Sequence, residues 1–118
     1  VVDDSELVRT RVRAALGAGH AFLDAADGAR ALELLEAHAV DLVVTDFMMP
    51  AMTGLDLVER MRRSERTAGI PVLVLSTQAT RILVDKAHDL GVTAWLRKPF
   101  DPAALTMAAT SLLAKRGA

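Results

Sequence analysis

Short apolar runs alternate along the chain with longer stretches whose apolar residues return every three or four positions. The runs are β-branched or leucine-rich and read as strands over residues 1–2, 21–23, 41–45, 72–75 and 93–96. The stretches after them carry helical stripes: Val8, Val12, Ala15 and Leu16, then Ala31, Leu34, Leu35 and His38, then Leu57, Val58 and Met61. Leu83, Ala87 and Leu90 make a fourth stripe, and Leu105, Ala108, Ala109 and Leu112 a fifth. Such alternation predicts a parallel sheet covered by helices on both faces, the doubly wound α/β class. The third and fourth strands, Leu42-Val43-Val44 and Val72-Leu73-Val74-Leu75, are apolar on both faces and so suit inner positions. Gly91 can close the fourth helix in a left-handed cap, and Gly69 with Pro71 breaks the chain ahead of the fourth strand.

No linker, repeat or low-complexity segment interrupts the pattern, so the reading is one domain over residues 1–118. Its first strand meets acidic residues straight after Val1 and Val2, whereas a strand usually runs about five or six residues. The chain is therefore expected to begin inside that strand.

Composition narrows the function by exclusion. The 118 residues are 52% hydrophobic and 25% charged, enough for a core without staples. Zero cysteines rule out thiolate metal sites, thiol catalysis and disulfides, and fit a reducing compartment. With 14 basic against 15 acidic side chains, nothing in the bulk charge calls for nucleic acid or an anionic membrane. Charges break every apolar run well short of the ~18 residues of a membrane span. With no secretory signal visible, a cytoplasmic location is expected.

Ligands of open parallel sheets bind beyond the carboxyl ends of the strands. The polar residues there are Asp3 and Asp4 after the first strand, Asp46 after the third, Ser76 and Thr77 after the fourth, and Lys98 with Pro99 after the fifth. Taken singly, each reads as a turn residue or helix cap; Asp-Asp-Ser alone would be an N-cap. Together they fall on one sheet edge in chain order. Clustered carboxylates repel unless a hard cation such as Mg2+ joins them, and Lys98 and Ser76 suit a phosphoryl group beside it.

Four segments then carry a resemblance that spans essentially the whole chain. Val1-Val2-Asp3-Asp4-Ser5, Val44-Thr45-Asp46-Phe47-Met48-Met49-Pro50 with Gly54, Val74-Leu75-Ser76-Thr77 and Trp95-Leu96-Arg97-Lys98-Pro99-Phe100 resemble, in order and spacing, the motifs of two-component response-regulator receiver domains. The resemblance implies a flavodoxin-like (βα)5 fold, strand order 2-1-3-4-5, and a phosphorylation-controlled module that acts by binding a partner and catalyses only its own phosphotransfer and dephosphorylation. Asp46 resembles the phosphoacceptor, served by a sensor histidine kinase, a phosphotransfer protein or a small phosphodonor. Asp4 resembles the direct Mg2+ ligand and Asp3 one acting through water, with Asp46 and the backbone carbonyl of Met48 completing the set. Lys98, Ser76 and Thr77 would bind the phosphoryl oxygens, while Ser76 and Trp95 take the switch positions. The downstream partner would dock on the fourth helix, fifth strand and fifth helix, with no nucleic acid and no membrane contacted. Met48 and Gln78 stand where many members carry polar groups that tune dephosphorylation.

Three carboxylates against one ammonium would oppose an anionic phosphoryl donor, so metal is expected to precede transfer. An aspartate-nucleophile Mg2+-dependent phosphatase on a similar sheet is the enzyme alternative. Such enzymes need an acid/base carboxylate two residues after the nucleophile, and Met48 occupies that position. A flavin carrier of related topology is disfavoured by loops lacking aromatic clamps and phosphate-cradling glycines. Arg60, Arg62, Arg63 and Arg66 read as a solvated basic face, and His20, His38 and His88 lack ligand spacing.

Overall fold

The computed structural model describes residues 1–92 and 94–117. Along the chain come α1 (Glu6–Leu16), α2 (Gly28–Ala37), β1 (Val43–Asp46), α3 (Gly54–Arg63), β2 (Val72–Ser76), α4 (Arg81–Asp89), β3 (Ala94–Arg97) and α5 (Pro102–Gly117). The three strands form a parallel sheet in the order β1-β2-β3, with Val43 opposite Val72 and Leu73 opposite Ala94. Every residue of β1 and β2 is buried, as strands apolar on both faces should be between two helical layers. Because strand side chains alternate, Val72 and Val74 join Ala31 and Leu35 of α2 and Leu57, Val58 and Met61 of α3 in one core. Leu73 and Leu75 face the other way and pack with Val44, with Val12 of α1 and with Leu105 and Leu112 of α5.

The first two expected strands are reduced to single parallel bridges, Val2 with Ala25 and Val2 with Thr45. Val2 donates to the Val44 carbonyl at 2.8 Å and accepts from the Asp46 N–H at 2.8 Å, so the amino terminus lies alongside β1. Residues 21–23 do not form the expected strand; the pairing residue is Ala25. The Leu23 carbonyl is met by the Val1 amino group at 2.8 Å, and Ala25 bonds through its N–H to the Val1 carbonyl and through its carbonyl to the Asp3 N–H. Elsewhere the strands lie slightly later than expected, β1 reaching Asp46 and β2 reaching Ser76. Thr93, the expected start of the fifth strand, lies outside the described residues. Gly91 adopts the left-handed φ of 81° that ends α4, as its position suggested. His38 does not close the second stripe: it is the exposed residue just past α2, with extended backbone.

Nor is the basic run simply a solvated face. Arg62 donates to the carbonyls of Leu90 at 2.8 Å, Ala68 at 2.9 Å and Ile70 at 2.8 Å, tying α3 to the turn before β2 and to the end of α4. Its burial holds the guanidinium below the ordinary arginine value. Exposed Arg63, by contrast, pairs with Glu59 one turn back. No helix among the described residues is long and apolar enough to cross a membrane.

Candidate functional site

At the carboxyl edge of the sheet each polar residue is placed by a different element. Asp46 is the last residue of β1, held by its N–H to Val2, and Phe47 continues the ladder to Leu75 at 2.9 Å. Asp3 follows the Val2 bridge and donates its N–H to Ala25 at 3.0 Å. Its Oδ1 accepts the Ser5 N–H at 2.8 Å, a turn that hands the chain to Ser5, the N-cap of α1. Both readings of Asp-Asp-Ser thus hold: Ser5 caps the helix, and the aspartates stand outside it. Lys98 arrives from the end of β3, its N–H on the Ser76 carbonyl at 2.8 Å and the Lys98–Pro99 peptide bond cis.

The side chains converge. Lys98 Nζ lies 2.8 Å from Asp3 Oδ2 and 3.0 Å from Asp46 Oδ1, joining residues that are far apart in sequence. Asp3 and Asp46 are buried while Asp4 is exposed, and carboxylate oxygens of all three lie within 4.8 Å of one another. Burial pushes the Asp46 carboxyl above its ordinary value, Asp3 adds to the push, and Lys98 and the Met48 backbone amide oppose it. Burial also works against the Lys98 ammonium, but hydrogen bonds and attraction from Asp3 and Asp46 outweigh it and hold the lysine above its ordinary range.

One ammonium does not balance three carboxylates, and the charged form of Asp46 is disfavoured even beside Lys98, first by burial and then by Asp3. A set of hard oxygens, two buried and one facing water, suits Mg2+, which takes one or two carboxylates and fills its other positions with water or phosphate oxygens. Asp46→Asn is therefore expected to raise the melting temperature of the metal-free protein and to shrink the gain given by saturating Mg2+. Thermal unfolding in EDTA and in Mg2+ checks this; a lower metal-free melting temperature in the variant would show that the ionised carboxylate is no burden.

Ser76 is buried at the end of β2, and its Oγ accepts the Gln78 N–H at 2.9 Å. The Gln78 carbonyl in turn accepts the Trp95 indole N–H at 3.0 Å. Trp95, half-buried on β3, lies 5.7 Å from the Phe47 ring, beside the residue that follows Asp46. Thr77, Gln78 and Met48 are exposed. Asp3, Asp4, Asp46, Ser76 and Lys98 thus stand at the carboxyl edge, with Met48, Thr77 and Gln78 just past the ends of β1 and β2 and Trp95 inside β3, opposite Val74. Sequence reasoning missed Arg9, whose Nη1 donates to the Asp3 carbonyl at 2.6 Å. The available signal was a cation in the first turns of a helix, where the dipole disfavours it.

Comparison with known proteins points in one direction. The family model for the response regulator receiver domain matches residues 1–110. The chain is 37% identical over 108 residues to the chemotaxis protein CheY1 of Helicobacter pylori, covering 89% of this chain and 87% of that protein. It is 34% identical over 116 residues to the sensor histidine kinase TmoS of Ectopseudomonas mendocina; that match takes in 98% of this chain but only 12% of the kinase's length. Among solved structures, the chemotaxis protein CheY4 of Vibrio cholerae superposes with a TM-score of 0.88 at 33% identity, over 94% of this chain and 93% of that one.

Proposed function

The chain belongs to the response regulator receiver family of two-component signalling, and on that premise we propose that Asp46 is its phosphoacceptor. A carboxylate oxygen of Asp46 attacks the phosphorus of a phosphohistidine on a sensor histidine kinase or phosphotransfer protein. The O–P bond forms as the N–P bond breaks, and the electron pair leaves on the imidazole nitrogen, giving an acyl phosphate. The observation that carries this reading is the placement of Lys98 Nζ between Asp46 and Asp3 at the carboxyl end of β1.

Asp3, Asp4, Asp46 and the backbone carbonyl of Met48 would hold Mg2+, which when bound supplies the positive charge that lets an anionic donor approach. Lys98, already charged at neutral pH, turns from the carboxylates to the phosphoryl oxygens. Ser76 gives up the Gln78 N–H to donate its hydroxyl proton to one of them, and the backbone N–H groups of Met48 and Thr77 add fixed donors. Met48 and Gln78 set the phosphoryl lifetime, because neither provides a charged group to orient a hydrolytic water. The fold that accompanies this reading is the five-stranded order 2-1-3-4-5, supported by the Ala25–Val2–Thr45 bridges beside β1, with residues 1–118 as one receiver module.

Output is proposed to run through α4, β3 and α5 to a downstream protein, supported by Ile82 and Met107 on those helices, 81% and 74% exposed. Neither nucleic acid nor membrane is part of this reading, and its setting is the cytoplasm. The backbone of Gln78 links hydroxyl and indole, so movement of Ser76 should be felt at Trp95, the single tryptophan. Beryllofluoride with Mg2+, in place of the phosphoryl group, is expected to turn the indole inward and shift its emission, and Ser76→Ala should weaken the response. A spectrum that does not change in protein shown to have bound beryllofluoride would remove Trp95 from the switch.

A further inference from the structure

We propose that Arg9 is a positioning residue for the acidic pair, fixing the Asp3–Asp4 peptide so that both carboxylates face a divalent cation, with Asp24 as its anchor. The inference rests on the reading of Asp3, Asp4 and Asp46 as ligands of that cation.

Arg9 sits one turn into α1, where a positive charge opposes the helix dipole, so helix stability does not account for it. Its side chain is nonetheless only 16% exposed. Nη1 donates to the Asp3 carbonyl at 2.6 Å, and Nε lies 3.5 Å from Asp24 Oδ2 with no hydrogen bond of its own. Arg13, one turn further along α1, pairs with the same Asp24 oxygen. Two arginines from one helix therefore grip one carboxylate, and the nearer of them reaches on to the backbone of the site.

The N–H of Asp3 is taken by Ala25, Oδ1 by Ser5 and Oδ2 by Lys98. Among the described residues the carbonyl is the one backbone or carboxylate group of Asp3 that sheet, turn and site leave over, and Arg9 takes it. That oxygen belongs to the peptide plane between Asp3 and Asp4, so its direction sets where the exposed Asp4 carboxylate can stand. Asp24, shared with Arg13, offsets part of the charge of Arg9, so the positive charge the grip brings toward the cation site is reduced and not removed.

The test is the Mg2+ affinity of the full chain and of Arg9→Gln, Arg9→Lys and Asp24→Asn, read from Trp95 emission and from the rise in melting temperature with Mg2+ concentration. Titrations are run where each variant is fully folded in EDTA. Loss of a partner that orients a ligand typically weakens metal binding about 10–100-fold, and Arg9→Gln is expected near the lower end of that range. Arg9→Lys, which can still reach one acceptor, should fall between it and the unsubstituted protein, and Asp24→Asn should weaken binding several-fold. A merely structural arginine would lower the melting temperature in EDTA and leave the affinity alone, while simple removal of a positive charge would tighten Mg2+ binding; either result overturns the proposal. Should Arg9→Gln fail to fold, an unchanged affinity in Asp24→Asn overturns it equally. If the unsubstituted chain shows no response to Mg2+, it is the ligand reading that fails, and this inference falls with it.

Discussion

Adding one methyl group at Gly54 is expected to cost about 3 kcal/mol of stability, the upper part of the usual range for overpacking. A Cβ there would overlap the carbonyl oxygen of Asp46 and lie 3.2 Å from both the Asp46 carbonyl carbon and the Phe47 Cα. All three are backbone atoms, so no side chain can swing aside. Gly54 also donates its N–H to the Phe47 carbonyl at 2.8 Å, which draws the start of α3 onto the end of β1. The same displacement would move the backbone that carries Asp46, so phosphorylation should slow along with the loss of stability. Urea unfolding of Gly54→Ala checks the first effect. Gly19→Ala is the control, because a Cβ at Gly19 meets nothing within 4 Å. Equal midpoints for the two variants would show that α3 can shift at no cost.

Lys98→Met should be nearly as damaging and should depend on pH. It leaves Asp3 and Asp46, both buried, facing each other without their shared cation. Breaking a buried pair this way costs about 2–4 kcal/mol here, kept to the lower side because Asp46 can take up a proton. The raised value of Lys98 means that its stabilisation is complete below the ordinary lysine range and is lost as pH climbs through the raised value. Asp46, also raised, destabilises once ionised; its favourable protonated form persists to higher pH than in the unfolded chain and disappears as pH rises through its own raised value. The deficit of Lys98→Met is therefore greatest between the carboxylate and lysine ranges and shrinks on acidification, as Asp46 takes up its proton. Unfolding free energies measured across pH check this. A deficit that stays constant from acid to neutral pH would mean that Lys98 contributes packing and not charge.

The inner strands and the carboxyl-edge residues were legible because they depend on local pattern. Val72-Leu73-Val74-Leu75 has no face to show to water, and Asp46 ends a strand of the same kind. The outer pairing was not legible in the same way: which of residues 21–25 pairs depends on where the Val2 backbone comes to lie in the fold, and the residue it meets is Ala25. Arg62 looked like one of four surface arginines because its partners are carbonyls of Ala68, Ile70 and Leu90, and a carbonyl has no sequence signature. Arg9 was hidden in part for the same reason, its site contact being the Asp3 carbonyl, and its pair with Asp24 was hidden for another. Neither belongs to a motif, and they meet only after α1 packs beside the Val2–Ala25 bridge.

The central claim is that Asp46 takes the phosphoryl group in a Mg2+-dependent step. The most direct measurement is the intact mass of the protein after incubation with acetyl phosphate, with Mg2+ or with EDTA, for the unsubstituted chain and Asp46→Asn. The account predicts one added phosphoryl group, labile to hydroxylamine, only in the unsubstituted chain and only with Mg2+. Undiminished phosphorylation of Asp46→Asn, or equal phosphorylation in EDTA, would contradict it.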